Sequence, residues 1–369
     1  MTVDVTEIEK RINDSYELPN SVVDVVPHPL VTVRTYTYQH RDFIRQCLDG
    51  VLMQKTTFPF EFIIGEDFST DGTREIVFEY AQRYPDVIRV ITADYNVGGE
   101  ANVIRCRRRT RGKYIALCDG DDYWTDPLKL QKQVDFLEAH PECGLVHTNC
   151  DVLYVAENKI VHSFCKFWGN RQIHYKDQGQ LFYMLTEGPY PIKNSTIVFR
   201  ASLYDTIQKQ LDEIRGQFLM GDLAVWLEMS RLAKFHYIDE ACAVYRVLPE
   251  SVSRSRSVVK QLRFTLSAEE MRVYFVKKYR TDMPMPLKRR YNQALILYKT
   301  FVPNYIDRYP LIQPGVIERF FYKIHHPSTR FLVRLWFRLL FIKDYGIRYA
   351  VGKLMKRVRA MIHLQLNRS

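Results

Sequence analysis

The sequence predicts an α/β fold, a mostly parallel sheet covered by helices on both faces, followed by a helical C-terminal region. Three observations carry this. Short apolar, β-branched runs alternate with stretches of helical periodicity through the first 150 residues, the pattern of βαβ units. Two of those runs end in clustered acids rather than in a hairpin turn, as strands do where they open onto a ligand crevice. Beyond Ser253 the strand pattern gives way to helical spacing.

The elements follow in order. After a polar lead-in over 1–29, residues 30–36 form a buried strand, and 42–54 carry Phe43, Ile44, Cys47, Leu48, Val51 and Leu52 at helical spacing. A second strand over 60–65 reaches the turn-rich Ser69-Thr70-Asp71-Gly72, which introduces a helix near Thr73. A strand at 87–92, a helix over 99–109 and a strand at 114–118 complete the repeating part. Asp126-Pro127 reads as a cap and first-position proline for the next helix, which ends before His140-Pro141. A fifth strand is expected at 144–148, further strands at 196–199 and 235–238, and a helix from about Asp222. This divides the chain into a lead-in (1–29), a main domain (30–253, halves meeting near 150) and a helical basic region (254–369).

The chain of 369 residues is 46% hydrophobic and 26% charged, enough to bury a large core. Its net charge of +11 favours anionic partners: nucleic acid, a phospholipid surface or a phosphorylated substrate. The seven cysteines form no CxxC pair and several lie in apolar runs, the mark of buried free thiols in a reducing compartment. With no signal-peptide pattern and no apolar run of membrane-spanning length, a cytoplasmic location is expected.

The strongest local signal is Cys118-Asp119-Gly120-Asp121-Asp122-Tyr123-Trp124, directly after an uncharged strand. Three carboxylates in four positions repel one another, and residues two apart in extended chain point to one side, so Asp119 and Asp121 can converge. Hard oxygen ligands of this kind suit Mg²⁺ or Mn²⁺, with diphosphate oxygens completing the shell. The plain alternative is an acidic turn capping the next helix, a task Asp126 can perform. In Glu66-Asp67-Phe68-Ser69-Thr70-Asp71-Gly72-Thr73 the turn and cap explain the last three residues, whereas Asp67 is free to accept a hydrogen bond from a base N–H or a ribose hydroxyl. In Met220-Gly221-Asp222, Asp222 is either an N-cap or a general base.

Together these blocks resemble the family 2 glycosyltransferases. Thr35-Tyr36-Thr37-Tyr38, Glu66 to Thr73, Asn96-Val97-Gly98-Gly99, Asp119-Gly120-Asp121-Asp122 and Gly221-Asp222 stand in that family's order across 30–253. The resemblance implies a GT-A (Rossmann-like) domain that transfers a sugar from a nucleotide-diphosphate donor to a hydroxyl acceptor with inversion. It places Tyr36, Tyr38 and Asp67 on the base and ribose, Asp119 and Asp121 on the donor, Asp121 and Asp122 on a divalent metal, and Asp222 as catalytic base. UDP is the nucleotide that family habit favours, with dTDP and GDP open. A glycan or lipid-linked acceptor in bacterial surface-polysaccharide assembly is the implied partner, and nucleic acid is not.

The chain departs from the family in three places: Arg34 stands in the first strand, Glu66 replaces Asp, and Leu248 stands where His often follows. Arg246 is then either a diphosphate contact or a structural ion pair. From Arg319 onward, twelve Lys and Arg face one acid, Asp344, and Arg330, Arg334 and Arg338 recur among Phe331, Leu335 and Trp336. Such a basic amphipathic helix suits an anionic inner-leaflet surface, or packs on the domain with its arginines reaching water. Two rival readings remain. A haloacid-dehalogenase-type phosphotransferase would carry its D-x-D on the first strand, not after the fourth. A non-catalytic protein binding nucleic acid or membrane through its charge would not need clustered carboxylates.

Overall fold

The computed structural model describes residues 5–19, 26–165, 178–187, 192–251, 255, 257–302 and 304–311. A single ten-stranded mixed sheet runs through it. Its strands are β1 (Tyr16–Glu17), β2 (Val31–Thr37), β3 (Phe60–Glu66), β4 (Ile88–Thr92), β5 (Tyr114–Leu117), β6 (Tyr123–Trp124), β7 (Cys143–Tyr154), β8 (Lys159–Val161), β9 (Ile197–Arg200) and β10 (Lys234–Val247). They lie in the order β1-β4-β3-β2-β5-β9-β7-β10-β6, with β8 on β7. The β4-β3-β2-β5 group is parallel, β7 and β10 are parallel to each other, and β9 runs antiparallel between β5 and β7. The α/β class and the largely parallel sheet match the expectation.

The helices are α1 (Val5–Asn13), α2 (Ile44–Leu52), α3 (Thr73–Arg83), α4 (Gly99–Arg107), α5 (Lys129–Ala139), α6 (Gln178–Glu187), α7 (Ala201–Leu211), α8 (Gly221–Leu232), α9 (Val258–Lys278) and α10 (Met285–Phe301). One core cluster joins α2, α3 and α5 to one face of the sheet through Ile44, Leu48, Val77, Leu130 and Val134. A second, on the other face, joins α6, α7 and α8. β2, apart from half-buried Tyr36, and all of β5 are buried because helices cover them from both sides.

Three expectations need correction. The lead-in is not merely polar: α1 lays Ile8 and Ile12 against Val97, Ala101 and Ile104, and β1 extends the sheet beside β4. Asp126 does not cap α5 directly, since the helix starts at Lys129 and the Asp126 carboxylate accepts from the Leu128 N–H at 2.9 Å, forming a turn ahead of it. The boundary near Ser253 is not a boundary of packing. Leu266, Met271 and Phe275 of α9 and Leu287, Tyr291 and Leu295 of α10 belong to the same core cluster as α8. Buried Glu228 of α8 pairs with Lys278 and accepts from the Tyr279 hydroxyl, fastening α9 across α8. Among the described residues no helix is long and apolar enough to cross a membrane. The basic stretch from 319 onward lies outside the described residues.

Candidate active site

The site forms at the carboxyl ends of β2, β3 and β5. The parallel ladder carries past β5: the Cys118 N–H donates to the Arg34 carbonyl at 3.1 Å and the Gly120 N–H to the Tyr36 carbonyl at 3.0 Å. This places Asp119 beside the end of β2. Only glycine fits at 120, where a Cβ would fall 2.7 Å from Thr37 Oγ1 and 2.8 Å from His40 Nδ1. The acidic loop is thereby pressed onto the turn that follows β2.

The three acids then divide. Asp122 is 1% exposed; its Oδ2 accepts from the Ser195 hydroxyl at 2.7 Å and its Oδ1 from the Arg246 N–H at 2.8 Å. Burial, then Asp121 and Asp119, push its carboxyl well above the usual range. Asp119 accepts from Asn194 Nδ2 at 3.2 Å, and burial followed by the nearby Asp121 charge pushes it up to about 7. Asp222 adds to the same repulsion, so the first turn of α8 faces this cluster. Asp119, Asp121 and Asp122 share one loop, and Asp222 lies near enough to act on the Asp119 charge. Asp222 is not the N-cap of α8: Met220 holds that position, and Asp222 Oδ1 accepts from the Leu223 N–H at 2.8 Å.

A cluster of like charges at a strand end, one member raised to about 7 by burial and then by its neighbour's charge, fits a divalent cation held by one or two carboxylates with phosphate oxygens supplying the rest. Asp121 and Asp119 are placed for this. Asp122, expected as a ligand, has both oxygens engaged by Ser195 and Arg246 and serves as the loop's internal anchor. Among the described residues another group of metal-ligating atoms, Asp126, Glu240 and Cys242, already holds the Lys132 ammonium.

Two other expected contact residues carry structural tasks. Asp67 is 2% exposed, and its two oxygens accept from the Val97 N–H at 2.8 Å and the Gly98 N–H at 3.1 Å. It anchors the Asn96-Val97-Gly98 loop, a loop-shaping task beside the expected base or ribose contact. Arg246 donates to the Asp121 carbonyl at 2.7 Å and to Gln46, and lies 4.4 Å over the Tyr123 ring. At 4% exposure it braces the acidic loop from behind, which favours its structural reading over a diphosphate contact.

Tyr36 packs against the core cluster of α6, α7 and α8 and against buried Ile63, Ile91 and Cys106, near Arg34, Tyr204 and Asp119, with burial raising its phenol. Tyr38 stands 46% exposed at the rim. Buried Glu66 accepts from the Ser69 N–H at 2.7 Å and the Phe68 N–H at 3.2 Å, folding the turn that turns Phe68 outward at φ 59°.

Sequence reasoning missed four residues: Lys193, Asn194, Ser195 and His40. The first three approach because β9 is antiparallel. The turn Asn194–Thr196 that leads into β9 lies at the same sheet edge as the loop that leaves β5. His40 faces Asp121 and Asp71, with burial lowering its basicity.

Residues 32–194 match the family described as glycosyl transferase family 2. An uncharacterized protein of Mycobacterium tuberculosis is 46% identical over 124 residues, 34% of this chain and 36% of that protein. The chain thus spans about a third of that relative's length. TuaG of Bacillus subtilis, named as a candidate teichuronic acid biosynthesis glycosyltransferase, is 28% identical over 256 residues, 68% of this chain and 91% of TuaG. Among solved structures, Staphylococcus aureus TarS 1-349 in complex with UDP-GlcNAc superposes with a TM-score of 0.48 at 17% identity, covering 73% of each chain. A Pyrobaculum calidifontis mannosyltransferase in complex with GDP-Man and Mn2+ gives 0.47 at 16% identity, covering 89% of each.

Proposed function

We propose that this chain, which carries a glycosyltransferase family 2 domain over residues 32–194, moves a sugar from a nucleotide-diphosphate donor onto a hydroxyl acceptor with inversion. The observation that carries the reading is the meeting of Asp119, Asp121 and Asp122 with Asp222 at one sheet edge, from segments a hundred residues apart. Asp121 and Asp119 would hold a divalent cation, which supplies charge stabilisation for the departing diphosphate. Tyr36 and Tyr38 line the side on which the nucleotide would rest.

In the transfer, Asp222 takes the proton of the acceptor hydroxyl, whose oxygen bonds to the anomeric carbon. The bond from that carbon to the β-phosphate oxygen breaks on the opposite face, and its electron pair leaves with the diphosphate. One displacement inverts the centre and needs no covalent enzyme intermediate. The carboxylate of Asp222 stands at the start of a rigid, buried helix, so its position is fixed by packing rather than by a loop. TuaG, named for teichuronic acid biosynthesis, supports an acceptor in surface-polysaccharide assembly, and a second Bacillus subtilis relative named as a glycosyltransferase, EpsE (28% identical over 280 residues), supports the transfer.

The test is thermal unfolding with UDP, GDP, dTDP and CMP, each with and without Mn²⁺, paired with a transfer assay. A ligand at a hundredfold excess over its dissociation constant stabilises by about 2.7 kcal/mol. One nucleotide diphosphate should stabilise the protein in a metal-dependent way. Asp222→Asn should keep that stabilisation while transfer falls by about 10² or more. No response to any nucleotide, or full transfer by Asp222→Asn, defeats the reading.

A further inference from the structure

We propose that Lys193 is the protein cation that receives the donor's β-phosphate as the sugar departs. The inference rests on the glycosyltransferase reading of the site and names a residue which that reading lacks. With Arg246 engaged behind the acidic loop, the site needs another positive group on its open side.

Lys193 has the placement for this. Its backbone carbonyl accepts from the Thr196 N–H at 2.9 Å and the Thr196 hydroxyl at 2.7 Å, closing the turn before β9. The next two residues of that turn tether the donor motif itself, Asn194 to Asp119 and Ser195 to Asp122. The lysine backbone is therefore fixed relative to the acids that would hold the donor. Its side chain runs between two rings, with the ammonium 4.6 Å from the Tyr245 centroid and 5.3 Å from that of Phe164.

Ring faces attract a cation without saturating its N–H donors as a carboxylate would. No ion pair joins Lys193 to a described carboxylate, although Asp122 and Asp222 lie close enough to act on its charge. Burial lowers the pKa of this half-buried ammonium and nearby acids offset only part of that, so it has hydrogen-bonding capacity left for an anion that would complete its neutralisation. Lysine meets phosphate as a point charge with three donors, and charge-assisted bonds of this kind strengthen as the leaving group gains charge.

The experiment compares binding of UDP, GDP and dTDP with that of their monophosphates, in Mn²⁺, for the full wild-type chain, Lys193→Met and Lys193→Arg. Methionine keeps the apolar stem between the rings, and the unfolding midpoint reports whether the fold survives. Lys193→Met should weaken binding of the cognate diphosphate at least tenfold and that of its monophosphate less than twofold. In transfer, kcat should fall more than KM rises, and Lys193→Arg should recover part of both losses. Equal loss of monophosphate and diphosphate, or unchanged diphosphate binding in a folded Lys193→Met, overturns the assignment while leaving the glycosyltransferase reading intact. A wild-type chain that binds none of UDP, GDP and dTDP overturns both.

Discussion

Asp119→Asn should make the protein more stable and less useful at once. Asp119 holds a proton up to about pH 7, against an ordinary carboxyl value of 3.8, because burial and Asp121 disfavour its charge. Each pH unit of such a shift corresponds to about 1.36 kcal/mol, so ionising Asp119 in the folded chain costs about 4 kcal/mol relative to the unfolded one. The sign follows from proton binding. Between pH 3.8 and about 7 the folded state binds more protons than the unfolded state, so stability falls across that window and levels off above it.

Asparagine removes the charge and with it the loss. The bond from Asn194 to the charged form is already contained in that figure. The expected gain is therefore up to about 4 kcal/mol at pH 8, shrinking toward nothing at pH 4. Urea unfolding of wild type and Asp119→Asn at pH 4, 6 and 8 measures it, with nucleotide binding tested alongside. A stability difference between the two proteins that stays constant over this range would refute the reasoning, because it would mean Asp119 titrates alike folded and unfolded.

Two more predictions concern the frame around the site. Asp67→Ala strands the Val97 and Gly98 N–H groups, so it should cost about 2–4 kcal/mol in urea unfolding and open the 96–98 loop to proteolysis. Arg34 is 0% exposed and pairs with no carboxylate among the described residues, its cation resting 5.2 Å over the Tyr204 ring. Arg34→Met should therefore be neutral or stabilising by about 1–3 kcal/mol, and a loss above 2 kcal/mol in thermal or urea unfolding counts against this account.

The parallel strands and their flanking helices were legible because burial on both faces fills β2, β3 and β5 largely with apolar and β-branched residues. β10 was legible only in part. Its ladder with β7 slips between Ile238 and Ala241, and exposed Asp239 and Glu240 at the slip break the apolar pattern that a reader follows. α1 escaped notice because two residues, Ile8 and Ile12, carry its buried face. At the site, the acids were legible as motifs, yet their division of labour was not. That Asp122 and Asp67 point inward depends on Ser195, Arg246 and the Val97–Gly98 backbone, partners distant in sequence or brought round by a loop. Lys193 and Asn194 carry no local pattern at all. Their role follows from the reversed direction of β9, which no spacing announces.

The sharing of one core by α8, α9 and α10 bears on how the chain can be cut. The segment that identifies the family ends at residue 194, and the strand-bearing part ends with β10, so Ser253 looks like a natural terminus for a minimal enzyme. A chain cut there would lose Leu266, Met271, Phe275, Leu287, Tyr291 and Leu295 from beneath α8, and leave Glu228 charged in an apolar wall without Lys278 and Tyr279. The helix that would lose this support is the one whose first turn carries Asp222. The smallest piece of this protein that can be recognised is thus shorter than the smallest piece that keeps α8, and with it the proposed base, packed in place.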